Sequence, residues 1–197
     1  MTRHLVCVVE GHGEVHAAPV LVARVLTGLL AVGPGEWAVA RDPIRVPRTQ
    51  LVAGAGLARA LILAGRREQA GGVLVLCDAD DDCPARWCAD LPRTVPAARA
   101  LPVRSVMACR EYESWVLWGY DPEARARVKA LDPETNPRDA KKALARLRPG
   151  YTPSAGQEAV TRALNLSVVW SRSNSFDKLV RSVADLVGRE VPARPKA

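Results

Sequence analysis

The chain has 197 residues, of which 48% are hydrophobic and 25% charged, proportions that are typical of a globular protein and not of a disordered or fibrous one. This length suits one well-buried domain and is short for two. No apolar run approaches the roughly 20 residues that a membrane-spanning helix needs, so we expect a cytoplasmic protein with no membrane partner. The net charge is +7, and the basic excess lies mostly in the second half, which favours a polyanionic partner.

Strand-like and helix-like segments alternate from the first residues, which predicts a parallel sheet covered by helices. Four strands are expected, over residues 5–9, 37–46, 73–77 and 103–109. The first helix is expected to begin near residues 15–18 and to end near Leu30, because Pro19 is best tolerated in the first turn of a helix. Further helices are predicted over residues 51–67, 84–89 and 111–118. In the last of these, Trp115 and Trp118 share a face and are expected to be core residues rather than base-stacking ones.

Beyond about residue 121 the strand pattern stops. Residues 121–197 are expected to form a basic helical extension packed on the same domain as the core, which spans residues 1–120. Helices are predicted over 138–148, 156–164 and 175–187, followed by a frayed tail from about residue 190.

The helix over 138–148 has a basic side and an apolar side. Its basic side is either a solvated face or a surface that binds phosphates. The candidate nucleic-acid-binding residues are Arg110, Arg138, Lys141, Lys142 and Arg146.

The five cysteines include no CxxC pair, and their odd number argues against a disulfide framework or a zinc knuckle. Cys7, Cys77 and Cys109 each end an apolar run. Buried free thiols are the expected form of all three.

Acidic residues follow three of the predicted strands at the point where each strand ends. They are Glu10 and Glu14, Asp78 and Asp80, and Glu111 and Glu113. Because the carboxyl ends of parallel strands meet at one edge of a sheet, we expect these side chains to converge. Clustered carboxylates repel one another, so a divalent cation is favoured, and Mg²⁺ prefers such oxygen ligands. The sequence therefore predicts a Mg²⁺ site, in which Mn²⁺ would substitute, with these ligands: Glu10, Asp78, Asp80, Glu113 and Glu111.

The turn after the first strand contains Gly11, His12 and Gly13, where the backbone could approach a phosphate closely beside a helix N-terminus. Neither a complete dinucleotide fingerprint nor a G-K-[ST] phosphate loop is present. A zinc site at His12 and His16 is a weaker alternative, because only one other histidine is available.

Four motifs resemble a known family. They are EGHGE at 10–14, LVLCDADDDCP at 74–84, REYESW at 110–115 and SNSFDKL at 173–179. In this order they are similar to the bacterial Toprim-like proteins of the domain-of-unknown-function family numbered forty-two seventy-six, over residues 4–185. The resemblance implies a Toprim-like, Rossmann-like core, related to that of the overcoming-lysogenization-defect nucleases.

The resemblance also implies roles for individual residues. Glu10 would be a general acid/base or a metal ligand, and Asp78 and Asp80 would bind Mg²⁺. Glu14 matches a further acid of the nuclease branch, so Glu10 and Glu14 are the candidate catalytic residues, while Glu113 and Glu111 compete for the last acidic position. Nucleases of this kind often work with an ATPase in phage defence, which makes a partner ATPase an expectation.

These observations predict a Mg²⁺-dependent nuclease that hydrolyses DNA or RNA, and they leave a homodimer open. One rival is a nucleic-acid-binding or regulatory subunit with a degenerate site. Another is a haloacid-dehalogenase-like phosphatase, which also has Asp-x-Asp after a strand. In that class Thr or Val is expected shortly after the pair, whereas Asp81 and Asp82 follow here.

Overall fold

The computed structural model describes residues 1–33, 35–52, 54–88, 101–135 and 139–196. It shows an α/β fold built on a parallel sheet of five strands, in the order β2-β1-β4-β5, with β3 also paired to β1. The strands are β1 (Arg3–Val9), β2 (Trp37–Val39), β3 (Ile44–Arg45), β4 (Ala70–Asp78) and β5 (Val103–Ala108). The prediction of a parallel sheet flanked by helices is confirmed.

The described residues also form the helices that cover this sheet, and residues 84–88 are helical as well. The helices are α1 (His12–Gly28), α2 (Arg48–Val52), α3 (Ala55–Gly65), α4 (Tyr112–Trp118), α5 (Pro122–Arg127), α6 (Ala140–Leu147), α7 (Pro153–Ala163), α8 (Leu166–Arg172) and α9 (Asn174–Val187). Two of them, α5 and α8, were not predicted. Both are short, and each has a capping side chain at its N-terminus. The Asp121 side chain accepts a hydrogen bond from the Ala124 backbone N–H in α5, and the Asn165 side chain accepts one from the Val168 backbone N–H in α8.

Three predicted boundaries of helices and strands were wrong. Helix α1 begins at His12, so Pro19 lies well inside it. Its buried apolar face offsets the hydrogen bond that proline removes. The helix predicted over 51–67 is two helices, since Gly54 adopts φ +83° between them. The strand predicted over 37–46 is two short strands, both paired with β1.

Side chains of alternating strand residues bury both faces of the sheet. On one face Leu5, Cys7 and Val9 pack with Leu74 and Leu76 under helices that include α1 and α9. The other face carries Val6, Val8, Val73 and Val75, and it packs against Leu51 of α2 and Leu57 of α3. Both faces of the central strand β4 are therefore buried, as expected of a parallel strand.

The segment after residue 121 belongs to the same core as the sheet. Helix α9 packs on β4 and β5, and α7 packs on α1. Leu144, Val160 and Phe176 join the hydrophobic cluster that also contains residues of β1 and β4. No break in the core therefore separates the extension from the sheet.

The C-terminal tail has no regular secondary structure after Gly188, but it is held in place. Arg194 donates hydrogen bonds to the carbonyl oxygen of Trp170 (2.7 Å), to that of Ser171 (3.2 Å) and to Oδ1 of Asn174 (2.9 Å). Arg194 thus ties the tail to α8 and α9.

Individual expectations about the core had mixed outcomes. Cys7 and Cys77 are buried free thiols, as predicted, whereas Cys109 is only half-buried. Trp115 is fully buried and its ring lies 5.4 Å from that of Phe176, which confirms it as a core residue. Over the described ranges, no helix is long and apolar enough to span a bilayer.

Candidate functional site

The carboxyl ends of β1, β4 and β5 lie side by side, because the strands pair in register up to Val9 with Leu76 and Asp78 with Ala108. Acidic residues follow each of these ends, and the neighbouring α2 and α6 bring basic residues to them. We call this edge the acidic rim. It comprises Glu10, Glu14, Asp78, Asp80, Glu111 and Glu113.

The inner part of the acidic rim is a buried carboxylate pair. Glu113 is fully buried and Glu14 is 6% exposed. The side-chain amide of Gln157, from α7, donates to Oε1 of Glu14 and to Oε1 of Glu113, at 3.4 Å each. The hydroxyl of Tyr151 donates to the same oxygen of Glu113 at 2.7 Å. The C-terminal helices thus complete this part of the rim.

Three oxygen atoms in this pair and its linking amide have no hydrogen-bond donor among the described residues. They are Oε2 of Glu14, Oε2 of Glu113 and Oε1 of Gln157, and all three are buried. A buried oxygen without a donor costs about 1 to 3 kcal/mol, and more when it is charged. A proton or a cation near these oxygens would lower that cost.

The predicted phosphate-approach loop packs against this pair. A Cβ atom on Gly11 would overlap the Glu14 carboxylate, and one on Gly13 would overlap the Gln157 amide. Both glycines therefore make room for buried polar groups, while His12 between them is exposed. His16 is exposed too.

Asp78 is held by two donors from different segments. Its Oδ1 accepts a hydrogen bond from the Tyr112 backbone N–H at 2.7 Å, and its Oδ2 accepts one from Nζ of Lys141 at 3.1 Å. The backbone N–H of Lys141 also donates to Oε2 of Glu111 at 2.8 Å. Lys141, which was predicted to bind nucleic acid, thus lies in the rim and is a counter-charge to these carboxylates.

Arg48 is a second counter-charge, and sequence reasoning missed it. Its Nη1 lies 3.2 Å from Oε2 of Glu10, and its Nε lies 3.9 Å from Oδ2 of Asp80. It also donates to the carbonyl oxygens of Asp78 and Ala79. The signal was available, because Arg48 follows β3 just as the acids follow their strands.

Asp80 and Arg110 join the two loops that follow β4 and β5. Both adopt left-handed backbone conformations, with φ +50° and +66°, which are unfavourable for residues other than glycine. The backbone N–H of Asp80 donates to the Arg110 carbonyl oxygen at 2.9 Å, and Nη1 of Arg110 donates to the Asp80 carbonyl oxygen at 3.1 Å. Arg110 also forms a salt bridge with Asp81 (3.0 Å), so it links the loops at the rim.

Burial perturbs the ionisation of the rim. It raises the pKa of Asp78 well above its ordinary value, although Lys141 opposes the effect, and it raises the pKa of Glu113 to about 7. Burial also raises the pKa of Glu10 against the opposing charge of Arg48. Burial would lower the pKa of Lys141, but the carboxylates beside it, Asp78 first, outweigh burial and raise it. Asp78, Glu113 and Glu10 therefore bind protons more readily than ordinary carboxylates do.

The rim fits Mg²⁺ in its donor chemistry, since it offers carboxylate oxygens of which two are buried without a donor. The distances between these acidic side chains are less favourable for binding a metal ion. In the described part of the chain, no three His, Cys, Asp or Glu side chains are close enough together to hold a metal ion. Lys141 and Arg48 instead supply the positive charge that balances Asp78 and Glu10.

Two more of the predicted nucleic-acid-binding residues, Lys142 and Arg146, lie on α6. Lys142 is exposed and forms a salt bridge with Asp139 at 3.0 Å. Arg146 is exposed at the opening of a cavity beside the same helix. Arg138 lies outside the described residues.

Comparisons of the chain with protein-family models, with curated proteins and with solved structures found no match. Its function must therefore be inferred from the site itself.

Proposed function

We propose that the protein is a Mg²⁺-dependent nuclease with a Toprim-like core, which hydrolyses phosphodiester bonds of DNA or RNA at the acidic rim. The observation that carries this proposal is the pair of buried carboxylates, Glu14 and Glu113, each with an oxygen that has no donor in the described part of the chain. Together with Asp78, they form a concentration of negative charge that a divalent cation would stabilise.

Different residues of the acidic rim would bind the metal ion and transfer protons. Asp78, Glu113 and Glu14 are the best placed to hold the ion, with Glu10, Asp80 and Glu111 beside them. When bound, Mg²⁺ would neutralise the rim and favour the formation of hydroxide from water. The raised pKa of Glu10 and its partial exposure suit it to exchanging a proton with solvent or substrate.

Substrate binding would come from the basic residues near the rim. Lys142 and Arg146 on α6 are exposed, and a phosphate backbone would be attracted by the net charge of +7. A cytoplasmic location, a partner ATPase in phage defence and a homodimer are further parts of the proposal, and they rest on sequence composition and on the family resemblance.

The test is cleavage of labelled single-stranded and double-stranded DNA and RNA in Mg²⁺, in Mn²⁺ and in EDTA. Asp78→Asn and Glu113→Gln each remove a rim charge with little change in shape. We expect each to lower the cleavage rate at least about 100-fold. The matched control is Glu123→Gln, an exposed acid of α5, which should cleave at the wild-type rate. Cleavage in EDTA, or full activity of Asp78→Asn, would refute the proposal.

A second function is favoured by one observation. Lys141 and Arg48 already neutralise part of the rim, so the fold can hold these acids with no metal ion. In this case the protein would bind nucleic acid without cutting it. Binding that is unchanged by EDTA, combined with no cleavage in either metal ion, would favour this function over hydrolysis.

A further inference from the structure

A cavity of about 540 Å³ lies between α5, the loop that follows it, and α6. Its lining includes the buried side chains of Leu117, Val128 and Ala143. Exposed basic side chains from three segments also line it: Arg127, Lys129 and Arg146. We call this cavity the α5–α6 pocket.

Two of the basic side chains of the lining, Arg127 and Arg146, are available to a ligand. Within the described ranges, neither Arg127 nor Arg146 takes part in a salt bridge. The acidic residue of the lining, Asp139, is already paired with Lys142 at 3.0 Å. An anionic group would therefore find two guanidinium groups that form no salt bridge among the described residues.

The loop over residues 128–133, which forms one wall of the pocket, is held in place by contacts with α4 and α5. The Arg125 guanidinium lies 4.6 Å from the centre of the Trp118 ring and donates to the carbonyl oxygen of Leu131. The Ala130 backbone N–H donates to the Arg125 carbonyl oxygen at 2.8 Å, and the Ser114 hydroxyl donates to that of Pro133 at 3.0 Å. A ligand would therefore bind without the cost of ordering this loop.

We propose that the α5–α6 pocket binds a nucleotide, with its base against the apolar lining and its phosphate between Arg127 and Arg146. The volume is in the range of about 300 to 1,000 Å³ that is usual for small-molecule sites. The aliphatic lining can cover the flat face of a base, and the guanidinium groups at its edge can hold the attached phosphate. No glycine-rich phosphate loop is involved, because side chains supply the positive charge.

The position of the pocket connects it to the acidic rim. Lys141 contacts Asp78 from one side of α6, while Ala143 and Arg146 face the pocket from the other side. The two sites are thus about one helix diameter, roughly 10 Å, apart. On the proposed function, on which this step rests, the pocket holds a nucleotide that flanks the scissile phosphate of a single strand.

The experiment measures binding in EDTA, so that it does not depend on hydrolysis. The probes are a fluorescent single-stranded oligonucleotide, cytidine monophosphate and ribose 5-phosphate. The test variant is Arg127→Ala/Arg146→Ala. Its control is Arg59→Ala/Arg66→Ala, which removes the same charge from exposed positions on and just after α3. We expect about a tenfold or greater loss of affinity in the test variant and about twofold or less in the control.

The three probes distinguish the sources of the nucleotide. Loss of oligonucleotide binding alone supports a nucleotide within a strand, and loss of cytidine monophosphate binding as well supports a free nucleotide. Equal losses in test and control variants overturn the proposal, and so does ribose 5-phosphate binding as tightly as cytidine monophosphate. If Arg127→Ala/Arg146→Ala loses affinity as expected but the wild-type protein cuts nothing with metal ions, the pocket proposal stands and the nuclease proposal fails. If it cuts but the test variant binds normally, the pocket proposal fails.

Discussion

The substitution Glu113→Gln should stabilise the protein at pH 8 and leave its stability almost unchanged at pH 4. In the folded chain, burial raises the pKa of Glu113 from 4.5 to about 7. A carboxyl group with a raised pKa binds its proton more tightly in the folded state than in the unfolded one. Stability therefore falls as pH rises from about 4.5 to 7, and it stays low above that range.

The size of this effect follows from the pKa difference. At about 1.4 kcal/mol per pKa unit, ionised Glu113 costs on the order of 3 kcal/mol at pH 8. A glutamine has no charge to bury and can still accept the hydrogen bond from Tyr151. For a chain of this length, about 3 kcal/mol corresponds to a rise in melting temperature of roughly 6 to 12 °C.

Urea unfolding in EDTA, at pH 8 and at several values down to pH 4, would measure this difference. The exposed acid Glu123 supplies the control, since Glu123→Gln should change stability little at any pH. Asp78 and Glu10 also have raised pKa values, so the comparison uses the difference between wild type and each variant. A Glu113→Gln variant that is equally destabilised at every pH would refute the reasoning, because its effect would then come from packing and not from charge.

Three further outcomes are expected. Mg²⁺ or Mn²⁺ should raise the melting temperature more at pH 8 than at pH 5, because protons compete for the rim, and Asp78→Asn should abolish the rise in a thermal scan. Gly11→Ala should lower the free energy of unfolding by about 1 to 3 kcal/mol through overlap with a buried carboxylate, whereas Gly28→Ala, where the added methyl group meets nothing, should raise it by up to about 1 kcal/mol. Arg48→Met should cost about 1 to 3 kcal/mol at pH 8 and less at pH 4, where Glu10 is protonated, as measured by urea unfolding.

The convergence of the acids was predictable from sequence because it depends on strand direction alone. Once β1, β4 and β5 were taken as parallel, Glu10, Asp78 and Glu113 had to meet at one edge. The balance of charge at that edge was not predicted. The expected balancing charge was a metal ion, whereas Lys141 and Arg48 reach the same carboxylates from α6 and α2.

The partners of the buried carboxylates could not be derived from local patterns. Gln157 lies 143 residues after Glu14 in the chain, and Tyr151 sits in a turn before α7. Nothing in the spacing of these residues indicates which strand end they will reach. Likewise, the internal position of Pro19 depends on how well α1 packs, which hydrophobic periodicity does not measure.

The packing of α9 on β4 and β5 has a consequence for biosynthesis. The ribosome makes β4 about a hundred residues before α9. The face of the nascent sheet that α9 covers therefore stays exposed until α9 has been made. Contacts between such distant segments slow folding and leave apolar strands open to aggregation meanwhile. The packing of β4 and β5 is therefore completed only after α9 has been made.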